Sequence, residues 1–176
     1  LKNSNNPLVI EIGSNDGSLL KEFKKLGVSV LGIEPASNLS KLSNDLNIDT
    51  LNEFFSLDIA KQIIESRMPS VIVANNVIGH IENLHNLMDG IKLLIGKSGV
   101  FIFEVPYLID LIKNLEFDTV YHEHLSYFSL LSLTNLIEQL GLEIFDVQKQ
   151  SVHGGSIRVF VSRKNNFQIN DSVKKM

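Results

Sequence analysis

Tyr121-His122-Glu123-His124 sets two imidazoles, a carboxylate and a phenol within a few residues, and Ser126-Tyr127-Phe128 follows after Leu125. Histidine titrates near neutral pH, so it can take a proton from oxygen or carbon. A neighbouring Glu123 can orient an imidazole and raise its basicity. The cluster therefore reads as an acid–base group. A zinc site on His122 and His124 is a rival reading, but no further ligand cluster accompanies them. A surface loop with incidental histidines is the plain alternative. Downstream, His153-Gly154-Gly155-Ser156 leads to Arg158, whose guanidinium can hold a phosphate or carboxylate as a fork. The plain alternative is a hairpin turn whose glycines only serve the bend. His122, His153, Ser156 and Arg158 are the candidate substrate contacts. His80, in Asn75-Asn76-Val77-Ile78-Gly79-His80, can hydrogen-bond a substrate or be a satisfied structural histidine.

A second set of residues suits a nucleoside cofactor. Glu11-Ile12-Gly13-Ser14-Asn15-Asp16-Gly17 follows a β-rich run and precedes an amphipathic stretch. Gly13 and Gly17 permit a sharp turn and a close backbone approach, and the next helix offers its N–H groups there. Glu34 ends the second apolar run, where an acid can accept from ribose hydroxyls. A dinucleotide fingerprint needs G-x-G-x-x-G, but Asn15 and Ser18 replace its later glycines, and there is no Walker lysine. The loop suits a nucleoside without a pyrophosphate. Asn52-Glu53-Phe54-Phe55 lies past a third short strand: its rings can flank an adenine and Glu53 can meet the base amino group, unless the phenylalanines are simply core. Glu11, Gly13, Asn15, Gly17, Glu34, Glu53, Phe54, Asn75 and Asn76 are the candidate cofactor residues.

The elements that must position these groups alternate. Strands are expected at Leu8–Ile12, Val28–Ile33, Asp49–Leu51, Val71–Ala74, Val100–Phe103, Glu143–Gln148 and Ile157–Ser162. Helices are expected at Ser18–Leu26, Ser37–Leu46, Asp58–Arg67, His85–Ile95 and Leu130–Leu140. Tyr107 to Phe128 reads as one long polar and aromatic segment, and such segments are often functional. The alternation implies an α/β, doubly wound, mostly parallel sheet, closed by an antiparallel hairpin across Gly154-Gly155. Ligands of such sheets bind beyond the strands' carboxyl ends, which is where most of the candidate groups fall.

The 176 residues suffice for one domain. A net charge of -4 gives no basic surplus for a phosphate backbone, so nucleic acid is not an expected partner. There is no cysteine, which excludes disulfides and thiolate metal sites and allows the cytoplasm as the expected compartment. No apolar run is long enough to span a bilayer. Lys174 and Lys175 read as a solvated tail. The chain begins at Leu1 rather than methionine, and a fragment of a longer protein is the expectation.

The stretches EIGSNDGSLL, GIEPASN, NNVIGHI, FEVPYL, YHEHLSYFSL and HGGSIRVF together resemble one family. It is the S-adenosylmethionine-dependent C-methyltransferases of nucleotide-linked 4-keto-deoxysugars. The resemblance runs from Leu8 to Arg163, and YHEH with the later HGGSxR is its most specific part. It implies a methyltransferase-type Rossmann-like sheet and S-adenosylmethionine as cofactor. Gly13, Asn15 and Gly17 would line the methionine end, and Glu34 would hold the ribose. Asn76 and His80 would lie by the methyl group and substrate, with Tyr121, Glu123 and His124 as acid–base group. The residues alone do not choose between His122 and His124; the resemblance places the base at His124. His124 would remove a proton beside the ketone, and Tyr121 or His80 would stabilise the enolate oxygen. The enolate carbon would take the methyl group in line. Complete members also carry a zinc-binding amino-terminal domain and a further carboxyl-terminal domain, neither of which is in these residues. The alternatives are an O- or N-methyltransferase, a non-catalytic cofactor-binding module, and an NAD-dependent oxidoreductase.

Overall fold

The computed structural model describes residues 7–152 and 154–176. Apolar runs and amphipathic stretches alternate as β1 (Leu8–Ile12), α1 (Ser18–Lys25), β2 (Ser29–Ile33), α2 (Ser37–Asp45), β3 (Thr50–Leu51), α3 (Leu57–Ser66) and β4 (Val71–Asn75). They continue as α4 (Leu84–Ile95), β5 (Val100–Pro106), α5 (Leu108–Asn114), α6 (Leu130–Gln139), β6 (Leu142–Gln150), β7 (Ser156–Arg163) and α7 (Asp171–Lys175). Single tight helical turns form at Ile78–His80 and Phe117–Thr119.

The strands make one seven-stranded sheet in the order β3-β2-β1-β4-β5-β7-β6. β1 to β5 pair in parallel, and β7 runs antiparallel to both its neighbours. From β1 the chain winds outward through β2 and β3, then returns to β4 on β1's other side. That reversal opens a crevice at the carboxyl ends of β1 and β4. Because β7 opposes β5 and β6 opposes β7, β6 again points the same way as β5. The β6–β7 turn therefore lies at the ligand-bearing edge.

Both sheet faces are buried, so β1 reads as continuous apolar sequence broken only by Glu11. Ile10 and Ile12 pack on one face with Met88, Ile91 and Leu94 of α4. Val9 packs on the other with Leu20 of α1 and Ile48. Side-chain caps fix three helix starts: Ser56 accepts from Ile59 N, Asn83 from Asn86 N, and Ser129 forms a capping box with Ser132. Each such cap is worth about 1 kcal/mol.

The structure departs from the sequence expectation in the segment after β5. Pro106 ends that strand but still pairs with Ser156, so pairing runs three residues past Phe103. Tyr107 to Phe128 holds helix α5, which buries Leu111 beneath it, and the Phe117–Thr119 turn. α5 is too short to show a full amphipathic period in sequence. Lys174 and Lys175 belong to α7, where both lie within ion-pair reach of Asp171 on an exposed surface.

Candidate active site

The crevice holds two adjoining cavities. One, of about 550 Å³, is lined by Gly13 after β1, Glu34 and Pro35 after β2, Phe54 and Phe55 after β3, and Asn76, Val77 and His80 after β4. Gly13 has φ 68°, and a Cβ there would collide with Val77 Cγ2. Glu34 is 7% exposed. Its Oε2 accepts from Asn15 N at 2.9 Å and its Oε1 from Ala36 N at 2.9 Å. Each oxygen keeps a lone pair for another donor. Glu34 therefore shapes the glycine loop as well as facing the cavity.

Of the other cofactor candidates, Glu11, Asn15, Gly17, Glu53 and Asn75 lie outside this cavity's wall. Asn15 has φ 53°, and its side-chain oxygen accepts from Asp16 N. Gly17 packs against Ser43 and Ile48, where a Cβ would lie 2.5 Å from Ser43 Oγ. Its glycine requirement comes from that packing and from φ 78°. Glu53 is exposed and Asn75 pairs with Glu104 at the end of β4. Phe54 lines the cavity with its ring largely in solvent.

The second cavity, about 460 Å³, is lined by Asn76, His80, Glu116, Asp118, Thr119, Tyr121, His124, Ser126 and Tyr127, among others. Asn76 and His80 belong to both cavities. His124 Nδ1 lies 2.8 Å from the Thr119 carbonyl oxygen. A carbonyl can only accept, so Nδ1 carries the hydrogen and the neutral ring's lone pair is on Nε2. Tyr121 OH lies 3.0 Å from that Nε2 and donates to it. The His80 ring is 4.8 Å from the His124 ring, centre to centre. The Gly79 carbonyl accepts from Leu125 N and Ser126 N, tying this loop to the turn after β4.

His122 and Glu123 point elsewhere. The His122 side chain is 89% exposed, 3.9 Å from Glu123 Oε1. The group orienting His124 is thus the Thr119 carbonyl, where the sequence suggested Glu123. Ser156 is fully buried, and its hydroxyl donates to the Val152 carbonyl. Arg158 pairs with Glu104, Nη2 to Oε2 at 2.6 Å and Nε to Oε2 at 2.9 Å. Its fork is engaged across β5 and β7 rather than open to a phosphate. His153 lies outside the described residues. Among the described residues, no group of three or more His, Cys, Asp or Glu is placed to hold a metal ion. No helix among them is long and apolar enough to cross a membrane.

Residues 1–147 match the family described as methyltransferase domain. The chain belongs to this family. A methyltransferase domain implies S-adenosylmethionine as cofactor. The chain is 40% identical over 156 residues to the C-methyltransferase NovU of Streptomyces niveus, covering 88% of this chain. It spans 37% of that relative's length. Its fold matches a methyltransferase of Archaeoglobus fulgidus at TM-score 0.70 and 14% identity, covering 90% of this chain and 87% of that one. It also matches the magnesium protoporphyrin IX methyltransferase of Synechocystis PCC 6803, solved with S-adenosylhomocysteine, at TM-score 0.68 and 14% identity, covering 93% and 76%.

The residues of this methyltransferase domain fit the cofactor's donors. Glu11 Oε2 and Asn76 Oδ1 are buried without a hydrogen-bond partner, and Glu34 keeps free lone pairs. Asn76 Oδ1 and Glu34 are acceptors, Glu11 becomes one at both oxygens when it gives up its proton, and the cofactor carries an ammonium and two ribose hydroxyls. Burial raises the Glu11 carboxyl from 4.5 to about 8, with Asp16 and Glu34 adding repulsion. The folded domain thus keeps a proton that the unfolded chain has released. The stabilisation this gives is full below pH 4.5 and is lost as pH rises toward 8. Glu11→Gln removes that loss. By urea denaturation without cofactor, the variant should gain on the wild type by about 2–4 kcal/mol between pH 5 and pH 8. An unchanged gap between the two pH values contradicts this.

Glu116, Asp118 and Thr119 line the cavity and were missed by sequence reasoning, and Tyr127, quoted in the cluster, was given no role of its own. Thr119 acts through its backbone carbonyl, which carries no side-chain signal. Tyr127 OH donates to the same carbonyl at 3.2 Å, a relation visible only once the loop is folded.

Proposed function

We propose that the chain transfers a methyl group to carbon, beside the ketone of a nucleotide-linked 4-keto-deoxysugar. The carrying observation is the Tyr121–His124 pair in a cavity that meets the cofactor cavity at Asn76 and His80. An oxygen or nitrogen acceptor already has a lone pair. A carbon beside a ketone must lose a proton while the carbonyl oxygen gains negative charge, so it needs a base and a donor together. His124 Nε2 is the base and Tyr121 OH is the donor. Without acceptor, the phenol donates to Nε2. With acceptor bound, the ketone oxygen takes over that hydrogen bond and frees Nε2 for the C–H. The Thr119 carbonyl then holds the Nδ1–H of the imidazolium. His80, beside His124, is placed to share the enolate charge. The 40% identity to a C-methyltransferase supports carbon as acceptor, and the YHEH and HGGSIR motifs support the sugar class.

Glu11, Asn76 and Glu34 hold the cofactor, with Phe54 and Phe55 beside its base. The bound cofactor supplies an electrophilic methyl group on a positively charged sulfur. Gly13 keeps the loop backbone close to it. The proposed compartment is the cytoplasm.

The test incubates the protein with S-adenosylhomocysteine and nucleotide-linked 4-keto-6-deoxyhexoses in heavy water. Deuterium should enter at a carbon flanking the ketone without methyl transfer. No exchange at any flanking carbon, with an oxygen methylated once S-adenosylmethionine replaces S-adenosylhomocysteine, overturns the proposal.

A further inference from the structure

Glu116 lines the acceptor cavity but not the cofactor cavity. Its backbone is fixed: its N donates to Leu111 O at 3.0 Å, and its O accepts from Thr119 N and Thr119 Oγ1. Its carboxylate lies flat against Gly154 of the β6–β7 turn, where a Cβ would come within 2.5 Å of Glu116 Cδ and 2.6 Å of both oxygens. Asn114 Nδ2 donates to Gly154 O at 2.9 Å and holds that turn in place. The carboxylate is half-buried, and among the described residues it has no hydrogen-bond or ion-pair partner. Asp118 is the other acid in the wall, and among the described residues no lysine or arginine lines the cavity.

A carboxylate in the cavity wall offers only acceptor oxygens, so a ligand seated there must meet it with a donor. A phosphate placed there would meet like charge. We infer that Glu116 determines acceptor specificity by taking a hydrogen bond from a hydroxyl or ammonium on the sugar ring, and that it keeps the acceptor's phosphates out of this cavity. This inference rests on the sugar acceptor proposed above. It assigns Glu116 to recognition and leaves proton removal to His124.

The test uses nucleoside diphosphate-linked 4-keto-6-deoxyhexoses bearing hydroxyl, amino or hydrogen at the 2- or 3-position. The wild type, Glu116→Ala and Glu116→Gln are compared by deuterium exchange and methyl transfer. Glu116→Ala should raise KM for the preferred hydroxyl or amino sugar about 10–100-fold, the size of a hydrogen bond to a charged group, with kcat nearly unchanged. The analogue with hydrogen at that position should be unaffected. Glu116→Gln keeps an acceptor oxygen, so it should restore a hydroxyl sugar and leave an amino sugar impaired, which separates the two donors. If Glu116 merely props the turn that orients His124, Glu116→Ala lowers kcat and exchange for every sugar, and the inference is wrong. Equal treatment of all sugars by wild type and variant also overturns it. If the wild type exchanges none of them, the sugar-acceptor reading itself fails and takes this inference with it.

Discussion

Replacing His124 with asparagine lowers turnover by about 10²–10⁴-fold, the range a positioned general base contributes. His124 lines the acceptor cavity and is absent from the wall of the cofactor cavity. Affinity for S-adenosylhomocysteine, measured by calorimetry, should therefore stay close to wild type. Asparagine keeps an N–H that can reach the Thr119 carbonyl, so the loop loses its base without losing its anchor. Deuterium exchange beside the ketone should fall in step with turnover, because proton removal precedes methyl transfer. His122→Asn should leave both rates intact, since that ring is in solvent. A normal His124→Asn beside an inactive His122→Asn would reverse the assignment. Normal rates in both would remove the acid–base reading of the cluster.

The second large effect is at Gly13. Gly13→Val should weaken S-adenosylhomocysteine binding at least ~10²-fold, because a branched side chain at positive φ is strongly disfavoured. The structure changes the reason expected from sequence. The valine would strike Val77 before it reached any ligand. Val77 follows Asn76, which both cavities share, so displacing it disturbs both at once. Circular dichroism and a melting curve establish that the variant folds. Gly13→Ala combined with Val77→Ala should recover part of the affinity, because the collision is relieved while the backbone strain stays. Full affinity in a folded Gly13→Val would mean the loop does not approach the cofactor.

The parallel core was legible because both of its faces are buried. Leu8–Ile12 and Val71–Ala74 read as short apolar runs, closed by Gly13 and by Asn75, and the helices between them carry clear stripes. The antiparallel end was legible from the short Gly154-Gly155 turn. α5 escaped notice because seven residues give less than two full apolar periods. In the site, side chains at the ends of strands were legible from position alone, as at Glu34 and Asn76. Relations across the fold were not. Glu123 neighbours His124 in sequence, but consecutive residues point differently, and a carbonyl five residues upstream orients the ring instead. Arg158 was expected at the ligand edge, and it does lie on β7, but its register opposite Glu104 engages the guanidinium within the sheet.

Transfer from S-adenosylmethionine carrying a carbon-13 methyl group to a nucleotide-linked 4-keto-6-deoxyhexose, followed by carbon NMR of the product, tests methyl transfer to carbon most directly. The labelled methyl should be bonded to a ring carbon beside the ketone, with the hydrogen originally on that carbon gone. A labelled methyl on oxygen or nitrogen, with that hydrogen still in place, would contradict it.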